Sequence, residues 1–128
     1  MDNRKELIKL RPEIASIVTA KHSNPAEGFQ NTSLRPILKF QNELLLEIFR
    51  ANIILRKSTY YKLKAPTQID YIEQTIRKDL KFKNLLIGTI IGQFTLEEWK
   101  TYMEHEKELK RRIVNLLIQR IQDQYTIL

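Results

Sequence analysis

Arg50, Arg56, Lys57, Lys62 and Lys64 surround Tyr60 and Tyr61 in one short segment of the chain. Cations interleaved with aromatic rings suit a nucleic acid or another polyanion, because the cations pair with phosphates and bases stack on the rings. The same residues also fit a structural role. Arg56 and Lys57 fall where cations complement the negative end of a helix dipole, and tyrosines at such places close a loop over a core. The structural role is favoured here, with polyanion binding as the alternative. A second cluster, Lys110-Arg111-Arg112, weighs less because Glu104, Glu106 and Glu108 lie beside it.

The remaining reactive residue types form no catalytic or metal-binding pattern. The two histidines are His22 and His105. Helical di-metal sites use Glu-x-x-His pairs, but Thr19 and Tyr102 occupy the required positions. Glu104, His105 and Glu106 cannot share a helix face, since neighbours point about 100° apart. The chain has no cysteine, which removes thiol nucleophiles, thiolate metal ligands and disulfides. No Gly-x-Ser-x-Gly surrounds Ser16, Ser23, Ser33 or Ser58. Three glycines do not make a phosphate-cradling loop. Glu43 and Glu47 are spaced for acid–base work, but with Lys39 and Arg50 they read as an exposed, charge-paired helix face. No cofactor and no metal are expected.

Composition sets the class. A chain of 128 residues with 42% hydrophobic and 29% charged residues is expected to fold as one domain over residues 1–128. The start, Met1 to Glu6, is charged and has no apolar h-region, so no secretory signal is expected. The longest apolar stretch, Leu85 to Ile91, is far short of a membrane span. A cytoplasmic protein without membrane contact is the expectation. The net charge is +7, and residues 34–64 hold seven Lys/Arg against two Asp/Glu, with no acidic residue between Glu47 and Asp70. The excess coincides with the Arg50–Lys64 segment.

The elements that carry these residues read as helices. Gly92-Gln93-Phe94-Thr95-Leu96-Glu97-Glu98-Trp99 marks a sharp corner. Thr95 and Glu98 have capping-box spacing, and Phe94 and Trp99 fall where a hydrophobic staple would seat the only Trp in the core. Gly92 precedes them where φ > 0 is often needed. The acidic first turn after Thr95, with Glu97 and Glu98, makes this corner unfit to dock DNA. Upstream, Asn3 with Glu6 predicts a short helix over Arg4–Leu10, stopped by Pro12. Glu13–Ser23 reads as irregular, lying over the core. Asn24-Pro25-Ala26-Glu27 is a helix start, and Gly28 should keep that helix short. A long helix is predicted from Thr32 or Ser33, with Pro36 in its first turn. Its stripe would be Ile37, Phe40, Leu44, Ile48, Ala51 and Leu55, widened by Leu45, Leu46, Phe49, Ile53 and Ile54. So broad an apolar surface predicts the central helix of the fold. After a loop over Arg56–Ala65 comes a stripe of Ile69, Ile72, Ile76 and Leu80, with Asp79 capping a helix over Leu80–Ile91. Gly88 and Gly92 suggest a close helix crossing. Beyond the corner, Trp99, Tyr102 and Met103 should face inward; over residues 104–108 the helix is either interrupted or leaves the core, and Leu109, Ile113, Leu117 and Ile121 restore the stripe. Short loops imply antiparallel neighbours. The expected fold is all-α, a compact bundle of four main helices with one or two short extra helices.

The phrases Phe29-Gln30-Asn31, Leu34-Arg35-Pro36-Ile37-Leu38-Lys39 and Ile90-Ile91-Gly92-Gln93-Phe94-Thr95 resemble a family of small, all-helical bacterial proteins of unknown function whose members carry the label "glyoxalase". The resemblance covers the chain from about residue 24 onward. It implies a helical fold, and the label implies an activity that these residues do not support. Glyoxalases hold a metal either between strands or in a histidine-rich motif, and this chain offers two histidines and no evident strand. No catalytic residue is carried over. The expected function is protein–protein interaction without catalysis, self-association included. Leu45, Leu46 and Ile53, or Ile118 and Ile127, would be the apolar surplus that a partner covers.

Overall fold

The computed structural model describes residues 2–14 and 24–128. Its first element, Arg4–Leu10, is a 3-10 helix rather than an α-helix. Asp2, not Asn3, supplies the side-chain cap, its Oδ1 accepting from the Arg4 N–H at 2.9 Å. The helix stops at Arg11, held extended at φ −75° and ψ 135°. The residue before a proline is driven out of the helical region, and Pro12 follows. Most of the Glu13–Ser23 segment, residues 15–23, lies outside the described residues.

α1 (Pro25–Phe29) starts as its sequence demands: Asn24 Oδ1 accepts from the Ala26 N–H at 2.9 Å, and Pro25 occupies the first position. Gly28 does not end the helical path. α1 passes directly into a π-helical turn, Gln30–Leu34, and then into α2 (Arg35–Phe40). In the π register the Arg35 N–H donates to Gln30 O, and the proline nitrogen, which cannot donate, follows at once. The single long helix predicted through residue 55 instead breaks at Gln41, whose ψ is 2°. The Gln41 side chain donates to Thr89 O at 2.9 Å and ties the break to a neighbouring helix.

That break resets the helical phase. In α3 (Asn42–Leu55) the inward residues are Leu45, Leu46, Phe49 and Ile53. Of the predicted stripe, Ile37 is buried and Ile48 half-buried, but Phe40, Leu44, Ala51 and Leu55 are exposed. α4 (Ala65–Lys78) follows and buries Ile72 and Ile76. Asp79 turns the chain, and its Oδ1 accepts from the Phe82 N–H at 3.1 Å to cap α5 (Leu80–Ile91). The turn carries Leu80 off the stripe and into solvent. Gly88 and Gly92 mark no helix crossing. A Cβ at Gly88 would meet nothing within 4 Å, and one at Gly92 would meet only carbonyls of its own helix, Gly88 O at 3.1 Å and Thr89 O at 4.0 Å. Gly92 is right-handed, with φ −59°.

α6 (Leu96–Glu104) opens with the full capping box: the Glu98 N–H donates to Thr95 Oγ1 at 3.1 Å, and the Thr95 N–H donates to Glu98 Oε1 at 2.8 Å. The staple has a different partner. Phe94 is buried against Phe29 and Tyr102, whereas Trp99 is 42% exposed and stacks on Tyr102 from outside. Met103 also points outward. His105 breaks the chain between α6 and α7 (Glu106–Gln122). Leu109, Ile113, Leu117 and Ile121 are fully buried, as their spacing predicts, and Val114 and Ile118 join them. α7, not α3, is the central element; it packs against α4, α5, α6 and the π turn. The described residues are all-helical and contain no strand. They form seven α-helices, of which α3, α4, α5 and α7 are the longest, so the short elements outnumber the one or two expected.

Candidate basic surface

The Arg50–Lys64 segment begins in the last turns of α3, whose end is a Schellman turn. The Ser58 N–H donates to Ile53 O at 3.1 Å and the Lys57 N–H to Ile54 O at 3.0 Å, with Lys57 left-handed at φ 50°. Ser58 Oγ then accepts from the Tyr60 N–H at 3.1 Å, which starts a 3-10 turn over Tyr60–Lys62. Local hydrogen bonding therefore sets the backbone path from the end of α3 into the 3-10 turn.

The segment divides into two groups. Tyr60 is 1% exposed, its hydroxyl donates to Tyr125 O at 3.1 Å, and burial, then the neighbouring tyrosines, push its pKa up to about 12. A ring so enclosed offers no stacking surface. Arg50 pairs with Glu47 and donates Nη2 to Ile127 O at 2.5 Å, while Arg56 pairs with Asp79. Lys57, Lys62 and Lys64 are exposed and have no ion-pair partner among the described residues. Tyr61 is 57% exposed, with its hydroxyl donating to Leu128 O at 3.3 Å. Of the seven candidates, three lysines and one ring face solvent without a protein charge to balance them. Arg50 and Tyr60 hold residues 125–127, and the Tyr61 hydroxyl, at the edge of its exposed ring, reaches Leu128 O.

The apolar surfaces also differ from expectation. Leu45, Leu46, Ile53 and Ile118 are all buried, and of the predicted surplus only Ile127 is exposed. Other apolar residues are exposed instead, spread over several elements, and on α3 they line up: Leu44, Ala51 and Leu55 share the outer face, with Ile54 beside them. Sequence periodicity missed them because it ran one phase across Gln41. It also missed a cleft beside α7, lined by Arg35, Arg111 and Arg120, because these residues come from distant parts of the chain. Among the described residues no group of three or more His, Cys, Asp or Glu side chains is placed to hold a metal ion, and no helix is long and apolar enough to cross a membrane.

Comparison with known protein families, with curated proteins and with solved structures found no match. The likeness to the family labelled "glyoxalase" therefore rests on the phrases that suggested it.

Proposed function

We infer that this protein is a non-enzymatic helical bundle, built on its four longest helices, that acts by binding another protein or a second copy of itself. One observation carries the reading. Leu44, Ala51 and Leu55 recur at helical spacing along α3, with Leu44 47% and Leu55 82% exposed, and Ile54 is 68% exposed beside them. Apolar residues scattered singly on a surface need no explanation, but a stripe along one helix marks an interaction site. The test is Leu44→Lys with Leu55→Lys. Sedimentation across concentration should show self-association of the parent chain that the double variant loses. For a different partner, affinity capture from native lysate should recover the same proteins at low and high salt, insensitive to nuclease, and only with the parent chain. Equal recovery by the double variant overturns the reading.

The alternative, polyanion binding, is supported by Lys57, Lys62 and Lys64 standing around Tyr61 without carboxylate partners among the described residues. Neutralising the three lysines should flatten the salt dependence of oligonucleotide binding by roughly 0.7 to 0.9 log units of slope per lost phosphate contact. Nuclease-sensitive capture would favour this alternative.

A further inference from the structure

Between the π turn and α7, Arg35 stands between two pockets, one carrying Arg120 and the other Arg111. Arg35 lines both of two adjoining pockets, one of about 250 Å³ shared with Arg120 and one of about 380 Å³ shared with Arg111. Leu116 and Gln119 also line both, so the two pockets adjoin along one groove-like stretch of surface.

The charges along this groove are unevenly balanced. Arg112 is neutralised: Nε and Nη2 donate to Glu108 at 3.2 and 3.0 Å, and Nη1 donates to Gln30 Oε1 at 2.9 Å. The other three have no carboxylate within ion-pair distance among the described residues, although the charge of Arg111 reaches Glu108. Arg35 donates Nε to the neutral Asn31 at 3.0 Å, and Arg120 donates Nη1 to the neutral Asn42 at 3.3 Å. Arg111 makes no side-chain hydrogen bond or ion pair among the described residues. One carboxylate, Asp123, lines the groove, and it accepts from Gln119 at 3.0 Å. Burial, then the charge of Arg35, lowers the pKa of Arg120, and Asp123 opposes that shift. Two guanidinium groups thus repel each other across a cavity.

The neutral side chains reinforce this polarity. Gln30 Oε1 already accepts from Arg112, and Asn115 Oδ1 accepts from Arg77 at 3.1 Å, which leaves their amide N–H groups as donors. Gln30 opens the π turn and Arg35 immediately follows it, so the irregular register sets both into the groove. Such turns recur at functional sites.

We propose that this groove binds a compact, phosphate-bearing small molecule carrying at least two negative charges, held by Arg35, Arg111 and Arg120. Guanidinium forks match phosphate oxygens in pairs. A singly charged ligand would leave most of the positive charge unbalanced. No aromatic ring lines either pocket, so the groove lacks the stacking platform that a single-stranded nucleic acid uses. Together the pockets reach the size range of small-molecule sites.

Inorganic pyrophosphate is the test ligand, titrated into the full chain at about 0.15 M salt. Phosphorus NMR should show saturable binding, and the melting temperature should rise with ligand concentration. Arg35→Gln and Arg111→Gln should each weaken binding roughly tenfold or more, as loss of a charge-assisted pair of hydrogen bonds requires. Arg111 makes no side-chain hydrogen bond among the described residues, so its variant should keep the parent circular dichroism and melting temperature. Lys62→Gln, on the other basic surface, should change binding by less than about twofold. Equal weakening by Lys62→Gln, or no saturation by about 10 mM, overturns the proposal. Citrate binding more tightly than pyrophosphate overturns the phosphate assignment. A short RNA that displaces pyrophosphate, with a salt slope of several phosphates, overturns the small-molecule assignment.

Discussion

Trp99 and Phe94 show how one residue's environment changes what its removal costs. Phe94→Ala should cost about 3–5 kcal/mol, because its ring is buried against Phe29 and Tyr102. Trp99→Ala should cost clearly less than Phe94→Ala, because its ring is 42% exposed and stacks on Tyr102 only from outside. Urea unfolding of both variants checks the contrast, and Trp99 emission should report a partly wetted ring. At the end of α3, Lys57 sits at φ 50°, a conformation that costs an L-residue roughly 1–2 kcal/mol. Lys57→Gly should raise stability by about 0.5–1 kcal/mol, the strain relieved less the added freedom of an unfolded glycine. Unchanged stability would mean that the lysine side chain contributes a compensating contact.

At the scale of elements, the corner between α5 and α6 is held by the N-terminal segment as well as by its own cap. Arg4 donates to Phe94 O at 2.6 Å and Gly92 O at 2.5 Å, and Arg11 donates to Gln93 O at 2.7 Å. Three consecutive carbonyls beyond α5 thus find partners on one short 3-10 helix and its flank. Arg11 also grips both oxygens of Glu98 at 2.7 Å, nearly out of contact with water. Burial alone would raise the Glu98 pKa. Hydrogen bonds from Arg11, Ser33 and the Thr95 N–H, with the charge of Arg11, outweigh it and hold the carboxyl below its ordinary range. A carboxyl depressed in the folded state stabilises above its unfolded pKa of about 4.3, and that stabilisation is lost as pH falls through the folded value. The parent chain should therefore lose stability on acidification below about pH 5 more steeply than Glu98→Gln, measured as urea midpoint against pH. Thr95→Ala, which removes one half of the capping box, should cost about 1 kcal/mol.

Across the whole molecule, the basic segment and the last residues of the chain form one contact. Tyr60 packs edge-on to Tyr61 and tilted on Tyr71, and its hydroxyl reaches Tyr125 O. Because its folded pKa is raised, Tyr60 contributes stability that is complete below the unfolded pKa of about 10. That contribution is lost as pH rises through about 12. Alkaline unfolding followed by circular dichroism should be shallower in Tyr60→Phe, which should also cost about 1 kcal/mol at neutral pH for the lost hydrogen bond. Neutralising Lys57, Lys62 and Lys64 should leave stability within about 0.5 kcal/mol, since exposed cations contribute little.

Signals within one turn of helix were legible in the chain alone. Asn24-Pro25, Asp79 and the Thr95–Glu98 box each satisfy backbone groups a few residues away, so no distant contact is needed to fix them. The α7 stripe was legible for the same reason, because an uninterrupted helix keeps its phase from Leu109 to Ile121. Tertiary structure decided the rest. Gln41 distorts the helix where its side chain reaches Thr89, and packing against the neighbouring helices covers Leu45 and Phe49 while leaving Leu44 and Leu55 bare. Whether a cation is balanced depends on what folds against it. Asp79 claims Arg56, Ile127 O and Glu47 claim Arg50, and Arg111 has no described carboxylate within ion-pair distance, although three glutamates precede it in sequence and Glu108 feels its charge. Local hydrogen bonds are encoded by spacing, whereas the pairing of charges and the covering of apolar faces depend on elements brought together from distant parts of the chain.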